Sequence, residues 1–140
     1  MPLSGITGPL EMPYNSYQDL IVWQKSVDLI VDIYRLTRLF PADERFGTAS
    51  QIRRAAMSIT HNIAEGHGRA TPGEFLNALS VARGSANEVE SCLLVSQRLD
   101  FAPERDILPL LNSIHEIRRM MASFRRQVQR KQNGRRNSKY

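Results

Sequence analysis

Residues 59–75 read ITHNIAEGHGRATPGEF, a stretch that contains the end of one helix and the start of the next. Glycines at 66 and 68 follow the last periodic apolar residue, where a left-handed helix cap is favoured. Thr71-Pro72-Gly73-Glu74 then supplies a cap, a proline at the first helical position and an acid at the third. Since so short a connection forces neighbouring helices to run in opposite directions, the stretch predicts a helical hairpin.

Apolar residues on both sides of this hairpin turn recur at alternating steps of three and four, the spacing of one helix face. Four such stripes follow one another along the chain. They are Leu20, Trp23, Val27, Ile30 and Tyr34; Ala49, Ile52, Ala56, Ile59 and Ile63; Phe75, Leu79, Ala82, Ala86, Val89 and Leu93; and Ile107, Leu110, Ile114, Ile117, Met121, Phe124 and Val128. The predicted fold is therefore all-α, an antiparallel up-down-up-down four-helix bundle.

Caps and breakers set the expected helix limits. The helices are predicted at about 17–38, 44–65, 72–99 and 105–130. Either Asp43, or Thr48 with Gln51 as a capping box, can begin the second helix. Gly84 is the only breaker inside the third, where glycine costs about 1 kcal/mol relative to alanine, so a close packing contact is expected there.

Length and composition restrict the class of protein. The 140 residues, 41% hydrophobic and 24% charged, suit one soluble domain with one core, predicted at residues 16–131. Residues 1–15 contain prolines and glycines without periodicity and predict a flexible lead-in. No apolar run approaches the roughly 18–20 residues of a membrane span, and no signal-like start is present, so we expect a cytoplasmic protein without membrane attachment.

Positive charge is concentrated at the carboxyl end. The net charge is +5, yet the segment from Arg118 onward holds nine basic residues and no acid, which leaves −4 for the rest. Residues 132–140 are predicted to form a flexible basic tail. Such a distribution is typical of a surface that binds RNA, DNA or an acidic protein, although a merely solubilising tail has the same composition. The candidate nucleic-acid contacts are Arg83, Arg118, Arg119, Arg125, Arg126, Arg130 and Lys131.

Catalytic and metal-binding patterns are weak in this chain. His61, His67 and His115 have no His or Cys partner at helical ligand spacing, and the lone Cys92 cannot form an intramolecular disulfide. We therefore expect no metal, no cofactor and no enzymatic activity. An enzyme would require side chains such as His61, Glu65 and Cys92 to converge on a cavity.

The first helix carries more apolar residues than one core requires. Besides its main stripe it has Val22, Leu29, Ile33 and Leu36 on another face. Exposed apolar surface of that size marks an interface, so these four residues predict a homo-oligomer. The alternative is that the amino-terminal segment or the tail covers this face.

Several ordered motifs resemble a known family. They are LIVWQ at 20–24, FPADERFG at 40–47, QIRRAAMSI at 51–59, NIAEG at 62–66 with Arg69, and ARGS at 82–85. Over about residues 17–125 the chain resembles the four-helix-bundle proteins encoded in intervening sequences of bacterial 23S rRNA genes. It is also similar to the accessory protein of diversity-generating retroelements. The resemblance implies a homopentamer and, from the accessory protein, nucleic-acid binding through a basic surface beside a reverse transcriptase.

Within these motifs one group of residues is expected to be structural. Arg53 or Arg54 can form a buried pair with an acid such as Glu88. The structural set is Arg54, Asn62, Glu65, Gly66, Arg69, Gly84 and Glu88.

The sequence thus predicts a non-catalytic oligomer that binds nucleic acid, structured RNA or RNA/DNA, through basic surfaces. The partners expected are a second copy of the chain, nucleic acid, and a reverse transcriptase or other RNA-processing protein. The alternative is a protein-interaction scaffold or accessory subunit that does not touch nucleic acid.

Overall fold

The computed structural model describes residues 16–69 and 71–138, with side chains described up to residue 134. Within these ranges there are four α-helices and no strand. The helices are α1 (Ile21–Thr37), α2 (Thr48–His67), α3 (Pro72–Arg98) and α4 (Glu104–Ser138), with 3-10 turns at Tyr17–Asp19 and Ala42–Glu44. The predicted lead-in at 1–15 lies outside the described residues.

Each helix packs against two others. Contacts join α1 to α2, α2 to α3, α3 to α4 and α4 to α1, and α2 and α3 make the most extensive of these contacts. The stripes predicted for α2, α3 and α4 form one buried cluster, with Phe75 and Phe124 half-buried at its edge. The predicted all-α class and the packing faces of these three helices are confirmed.

The face of α1 that enters the core differs from the prediction. Val22, Leu29, Ile33 and Leu36 are at most 4% exposed, whereas Tyr34 of the expected core stripe is 38% exposed. The four residues expected to contact another subunit are thus core residues of this chain, and that prediction is wrong.

Serine at position 26 explains the error. Val22, Ser26, Leu29, Ile33 and Leu36 follow one another at steps of four, three, four and three, so Ser26 completes the stripe. Ser26 Oγ donates to the Val22 carbonyl at 2.7 Å, which satisfies the hydroxyl inside the core. A serine whose hydroxyl is hydrogen-bonded to its own helix can therefore lie in an apolar face. In the sequence the same serine makes that face look discontinuous.

The helix starts are set by side-chain caps. Thr71 Oγ1 accepts from the Glu74 amide at 3.2 Å, and Pro72 occupies the first turn of α3, as predicted. For α2 neither predicted cap is used. Glu44 Oε1 instead accepts from Thr48 Oγ1 at 2.8 Å and from the Thr48 amide at 3.4 Å, so the helix begins about one turn later than expected.

The end of α2 depends on close packing instead of a left-handed cap. Gly68 ends the helix with a φ of −83°, in the ordinary helical region. Gly66 is buried inside the helix, and a Cβ placed there would lie 2.6 Å from Ala78 Cβ and 2.9 Å from Phe75 Cδ1. Glycine at 66 therefore lets α2 and α3 approach each other. At Gly84, by contrast, no described atom beyond its own turn of helix lies within 4 Å of such a Cβ, so the contact predicted there is wrong.

Polar side chains complete the seam between α2 and α3. Ser58 Oγ and Ser85 Oγ are hydrogen-bonded at 2.8 Å. Asn62 Nδ2 donates to the Ser58 carbonyl at 2.8 Å and to Ser58 Oγ at 3.1 Å. The predicted structural role of Asn62 thus consists of holding Ser58 toward α3.

The last helix is longer than predicted. α4 continues to Ser138, so residues 132–138 of the expected flexible tail are helical, and 139–140 lie outside the described residues. Arg, Gln and Lys, which dominate residues 125–132, are good helix formers, and Gly134 costs only about 1 kcal/mol. Gly134 therefore does not end the helix.

A short turn leads into α1. Ser16 Oγ accepts from the Gln18 amide at 3.2 Å, which caps the turn at Tyr17–Asp19. The Tyr17 ring meets the edge of Trp23 with ring centroids 5.1 Å apart. This contact ties the turn to the first helical turn of α1.

Candidate nucleic-acid interface

Two of the candidate arginines join α4 to α3. Arg118 donates to both carboxylate oxygens of Glu90, at 3.0 and 2.9 Å, and to Asn87 Oδ1 at 2.9 Å. Arg125 donates to Ser80 Oγ at 2.6 Å. These guanidiniums already have partners inside the protein, a role that the sequence did not indicate.

Glu90 is the acceptor at the centre of this junction. Hydrogen bonds from Arg118 lower the pKa of Glu90 from 4.5 to about 2, although partial burial acts in the opposite direction. His115 Nε2 lies 2.6 Å from Glu90 Oε2 and also lowers this pKa. The carboxylate is therefore ionised at neutral pH, and it neutralises Arg118.

A second group of arginines on α4 faces solvent. Arg119, Arg126 and Arg130 are exposed and form no hydrogen bond or ion pair with another residue whose side chain is described. Their steps of seven and four residues return to within about 40° of one direction on a helix and span about 17 Å along it. We refer to these three residues as the arginine stripe.

Arg83 and Lys131 lie outside this stripe. Arg83 is exposed on α3, three residues after Ser80 and four before Asn87, and both of those residues contact α4. Residues this far apart share one side of a helix, so Arg83 lies along the border with α4. Lys131 is exposed one residue after Arg130. Residues 117–134 contain no Asp or Glu, so this end of α4 is uniformly positive.

The expected pair between Glu88 and Arg53 or Arg54 is not formed. Arg53 Nε donates to Thr37 Oγ1 at 2.8 Å, and its guanidinium lies 4.6 Å from the centre of the Tyr34 ring. Arg54 is exposed and donates to Ser50 Oγ at 3.3 Å, while Glu88 is exposed. Arg53 thus joins α2 to α1. The guanidinium stacks on the exposed ring of Tyr34, where it remains in contact with water.

The remaining motif residues form a local pair. Glu65 and Arg69 make an ion pair one helical turn apart, and both side chains are about half exposed. Such a pair contributes about 0.3–0.5 kcal/mol, which makes it a minor structural feature.

The other candidate reactive groups lie apart. His61 is exposed, His67 is half-buried with its ring edge-on to Phe75, and Cys92 is a buried free thiol. Burial, with the nearby charge of Glu88, raises the pKa of the Cys92 thiol. No group of three possible metal ligands occurs in the described part of the chain.

Comparisons with known proteins agree with this architecture. The family model described as 23S rRNA-intervening sequence protein matches residues 18–123. A protein of unknown function from the S23 ribosomal protein family of Bacteroides thetaiotaomicron VPI-5482 is 28% identical, with a TM-score of 0.69 over 74% of this chain and 97% of that chain. No curated protein matches. None of the described helices is long and apolar enough to cross a membrane.

Proposed function

We propose a function for this chain, which belongs to the 23S rRNA-intervening sequence protein family, from its own surface. The similar protein from Bacteroides thetaiotaomicron is of unknown function and supplies none. The protein binds nucleic acid without catalysis, through the arginine stripe and Arg83. The ligand is structured RNA or an RNA/DNA duplex. Recognition is of the phosphate backbone.

The arginine stripe carries this proposal. Three exposed guanidiniums without a partner among the described side chains, in a segment without acids, give a row of donors for phosphate oxygens. Phosphate contacts are independent of base sequence and release counterions, so binding weakens steeply with salt. Arg118 is not part of this row, since Glu90 neutralises it.

The test compares two triple variants of equal net charge. One replaces the arginine stripe by glutamine (Arg119→Gln, Arg126→Gln, Arg130→Gln), and the matched control replaces three other exposed arginines (Arg38→Gln, Arg98→Gln, Arg105→Gln). Binding of a labelled RNA hairpin and an RNA/DNA duplex is measured by fluorescence anisotropy at several salt concentrations. The slope of log K against log salt is negative, and losing three phosphate contacts makes it shallower by about 2–3. The control retains the wild-type slope.

Two results contradict the proposal. One is the absence of binding at low salt. The other is an equal loss in the two triple variants, which indicates that net charge alone acts. The first result leaves the protein-interaction scaffold, with a reverse transcriptase or RNA-processing protein as the partner to test by co-purification.

The chain direction of the helices forms a second part of the proposal. Along α3 and α4, Glu90 contacts Arg118 while Ser80 contacts Arg125, so residue numbers rise on one helix as they fall on the other. The same holds between α2 and α3, where Ser58 meets Ser85 and Gly66 faces Ala78. These pairings support an antiparallel up-down-up-down four-helix bundle.

Self-association is the third part. Phe46 is 90% exposed, and with Tyr34 and Met57 it lines one shallow depression between α1 and α2. Arg45, Arg53 and Arg54 line the same depression, so the apolar contact that we propose with a second copy centres on the exposed Phe46 ring. Light scattering measures the mass, expected to be that of a homopentamer, and Phe46→Ser shifts it toward the 15.9 kDa chain. A monomeric wild-type protein would contradict this.

A further inference from the structure

A pocket of about 380 Å³ lies where the end of α2, the start of α3 and residues 124–131 of α4 meet. Phe75 and Phe124 form part of its wall, and their rings meet edge to face with centroids 5.4 Å apart. Leu20 and Val128 extend this apolar wall. The volume lies within the range of small-molecule sites, and half-buried aromatic rings offer a surface to a planar ligand.

The rim of the pocket is positively charged. Arg69 and Lys131 line it, and both are exposed. Thr71, the cap of the 27-residue helix α3, also lines it. Glu65 partly neutralises Arg69, whereas Lys131 forms no ion pair with another residue whose side chain is described. No Asp or Glu is among the described lining residues.

The helical extension of α4 places Lys131 at this rim. A Cβ built on Gly73 would lie 3.2 Å from Gln132 Nε2, which shows that this part of α4 lies against the start of α3. A chain that left the helix at residue 130 would not hold Lys131 there.

We propose that this pocket binds a nucleoside monophosphate group, either as a free mononucleotide or as the phosphorylated end of an RNA strand. The base packs against Phe75 and Phe124, and the phosphate is bound by Lys131 and Arg69 at the start of α3. Only the strand-end form rests on the proposed function; the mononucleotide form is independent of it.

Both halves of the ligand are needed to match both halves of the pocket. Inorganic phosphate would leave the aromatic wall exposed to water. A neutral apolar ligand would leave the cations without an anionic partner. A nucleotide contacts the wall and the rim together, so we expect it to bind more tightly than either fragment.

The test is isothermal titration calorimetry on the full chain with AMP, adenosine and inorganic phosphate. We expect AMP to bind at least about tenfold more tightly than either fragment, because a charge-assisted hydrogen bond contributes more than that factor. Lys131→Gln and Phe124→Leu each weaken AMP binding, by about fivefold or more. Arg105→Gln, an exposed arginine outside both the pocket and the arginine stripe, is the matched control and leaves AMP binding unchanged.

A short RNA with and without a 5′-phosphate separates the two sources. Tighter binding of the phosphorylated strand, lost in Lys131→Gln, assigns the pocket to strand ends. Equal binding of the two strands, with AMP bound, assigns it to free mononucleotides. The inference is overturned if AMP and its fragments bind alike or not at all and the strand phosphate has no effect. Such a result does not affect the arginine stripe, whose triple variant leaves the pocket intact.

Discussion

Gly66 and Ala78 bring α2 and α3 into contact so close that a methyl group on Gly66 would lie 2.6 Å from Ala78 Cβ. Gly66→Ala gains about 1 kcal/mol of helix propensity, but the two helix backbones must separate to admit the methyl group. We expect a net loss of about 1–3 kcal/mol in the free energy of unfolding, measured in urea.

Gly84→Ala is the matched control, because glycine is again replaced inside a helix. No described atom beyond its own turn of helix lies within 4 Å of the new methyl group, and the position is exposed. We expect this variant to be stabilised by about 1 kcal/mol. Equal effects at the two positions would show that propensity, and not helix approach, decides the residue at 66.

Glu90 makes the stability of the protein depend on pH. Its pKa is about 2 when folded and near 4.5 when unfolded, so the unfolded chain binds the proton more readily. The stabilisation is complete above about pH 4.5, is lost as the pH falls towards 2, and is on the order of 2 kcal/mol. Urea unfolding between pH 2 and 7 measures it.

Glu90→Gln should reduce the loss of unfolding free energy between pH 4.5 and 2. It should also lower the unfolding free energy at neutral pH by about 1–2 kcal/mol, since Arg118 loses its ionic partner. Glu88→Gln, two residues away on an exposed side chain, should change stability by less than about 0.5 kcal/mol. If Glu90→Gln loses as much unfolding free energy at low pH as the wild type, the pH dependence comes from other carboxylates.

Asp100 occupies a left-handed conformation, with a φ of 56°, just after α3. The amide of Phe101 donates to the Ser96 carbonyl at 3.0 Å across this turn, a bond that closes the helix end. Asp100→Gly should stabilise the protein by about 1 kcal/mol, and Asp100→Ala should destabilise it by a similar amount. Thermal unfolding that ranks alanine above glycine would contradict this.

Cys92 should be a poor nucleophile in the folded protein. It is buried among core residues, and burial with the charge of Glu88 raises the pKa of its thiol. Reaction with a chromogenic disulfide at pH 8 should be at least about a hundredfold slower in buffer than in urea, because the thiolate is the reacting form. Rapid labelling of the native chain would place Cys92 at an accessible surface.

Periodicity predicted the packing faces of α2, α3 and α4 but selected the wrong face of α1. In α1 two stripes satisfy the same spacing, and the buried one includes Ser26, whose hydrogen bond to Val22 is visible only in the structure. The sequence predicted a helix cap at Gly66 and a close contact at Gly84, whereas the structure has the close contact at Gly66. A close contact needs a neighbouring helix opposite the glycine. Ala78 of α3 lies opposite Gly66, and no described atom lies opposite Gly84.

The candidate site was predictable as a set of residues but not as an arrangement. The accumulation of arginines after 117 is a sequence property. The division into arginines that bind Glu90 or Ser80 and arginines that face solvent depends on the register of α3 against α4. The pocket depends on α4 continuing past residue 130, since this continuation places Lys131 at its rim.

The contact between Tyr17 and Trp23 gives the molecule an optical reporter of its own. Trp23 is the only tryptophan in the sequence, and the tyrosine ring lies 5.1 Å from it, so light absorbed by Tyr17 is transferred efficiently to the indole. The part of this emission that is lost in Tyr17→Phe therefore records whether the turn before α1 is seated. Fraying of this amino-terminal end can be followed without attaching a dye.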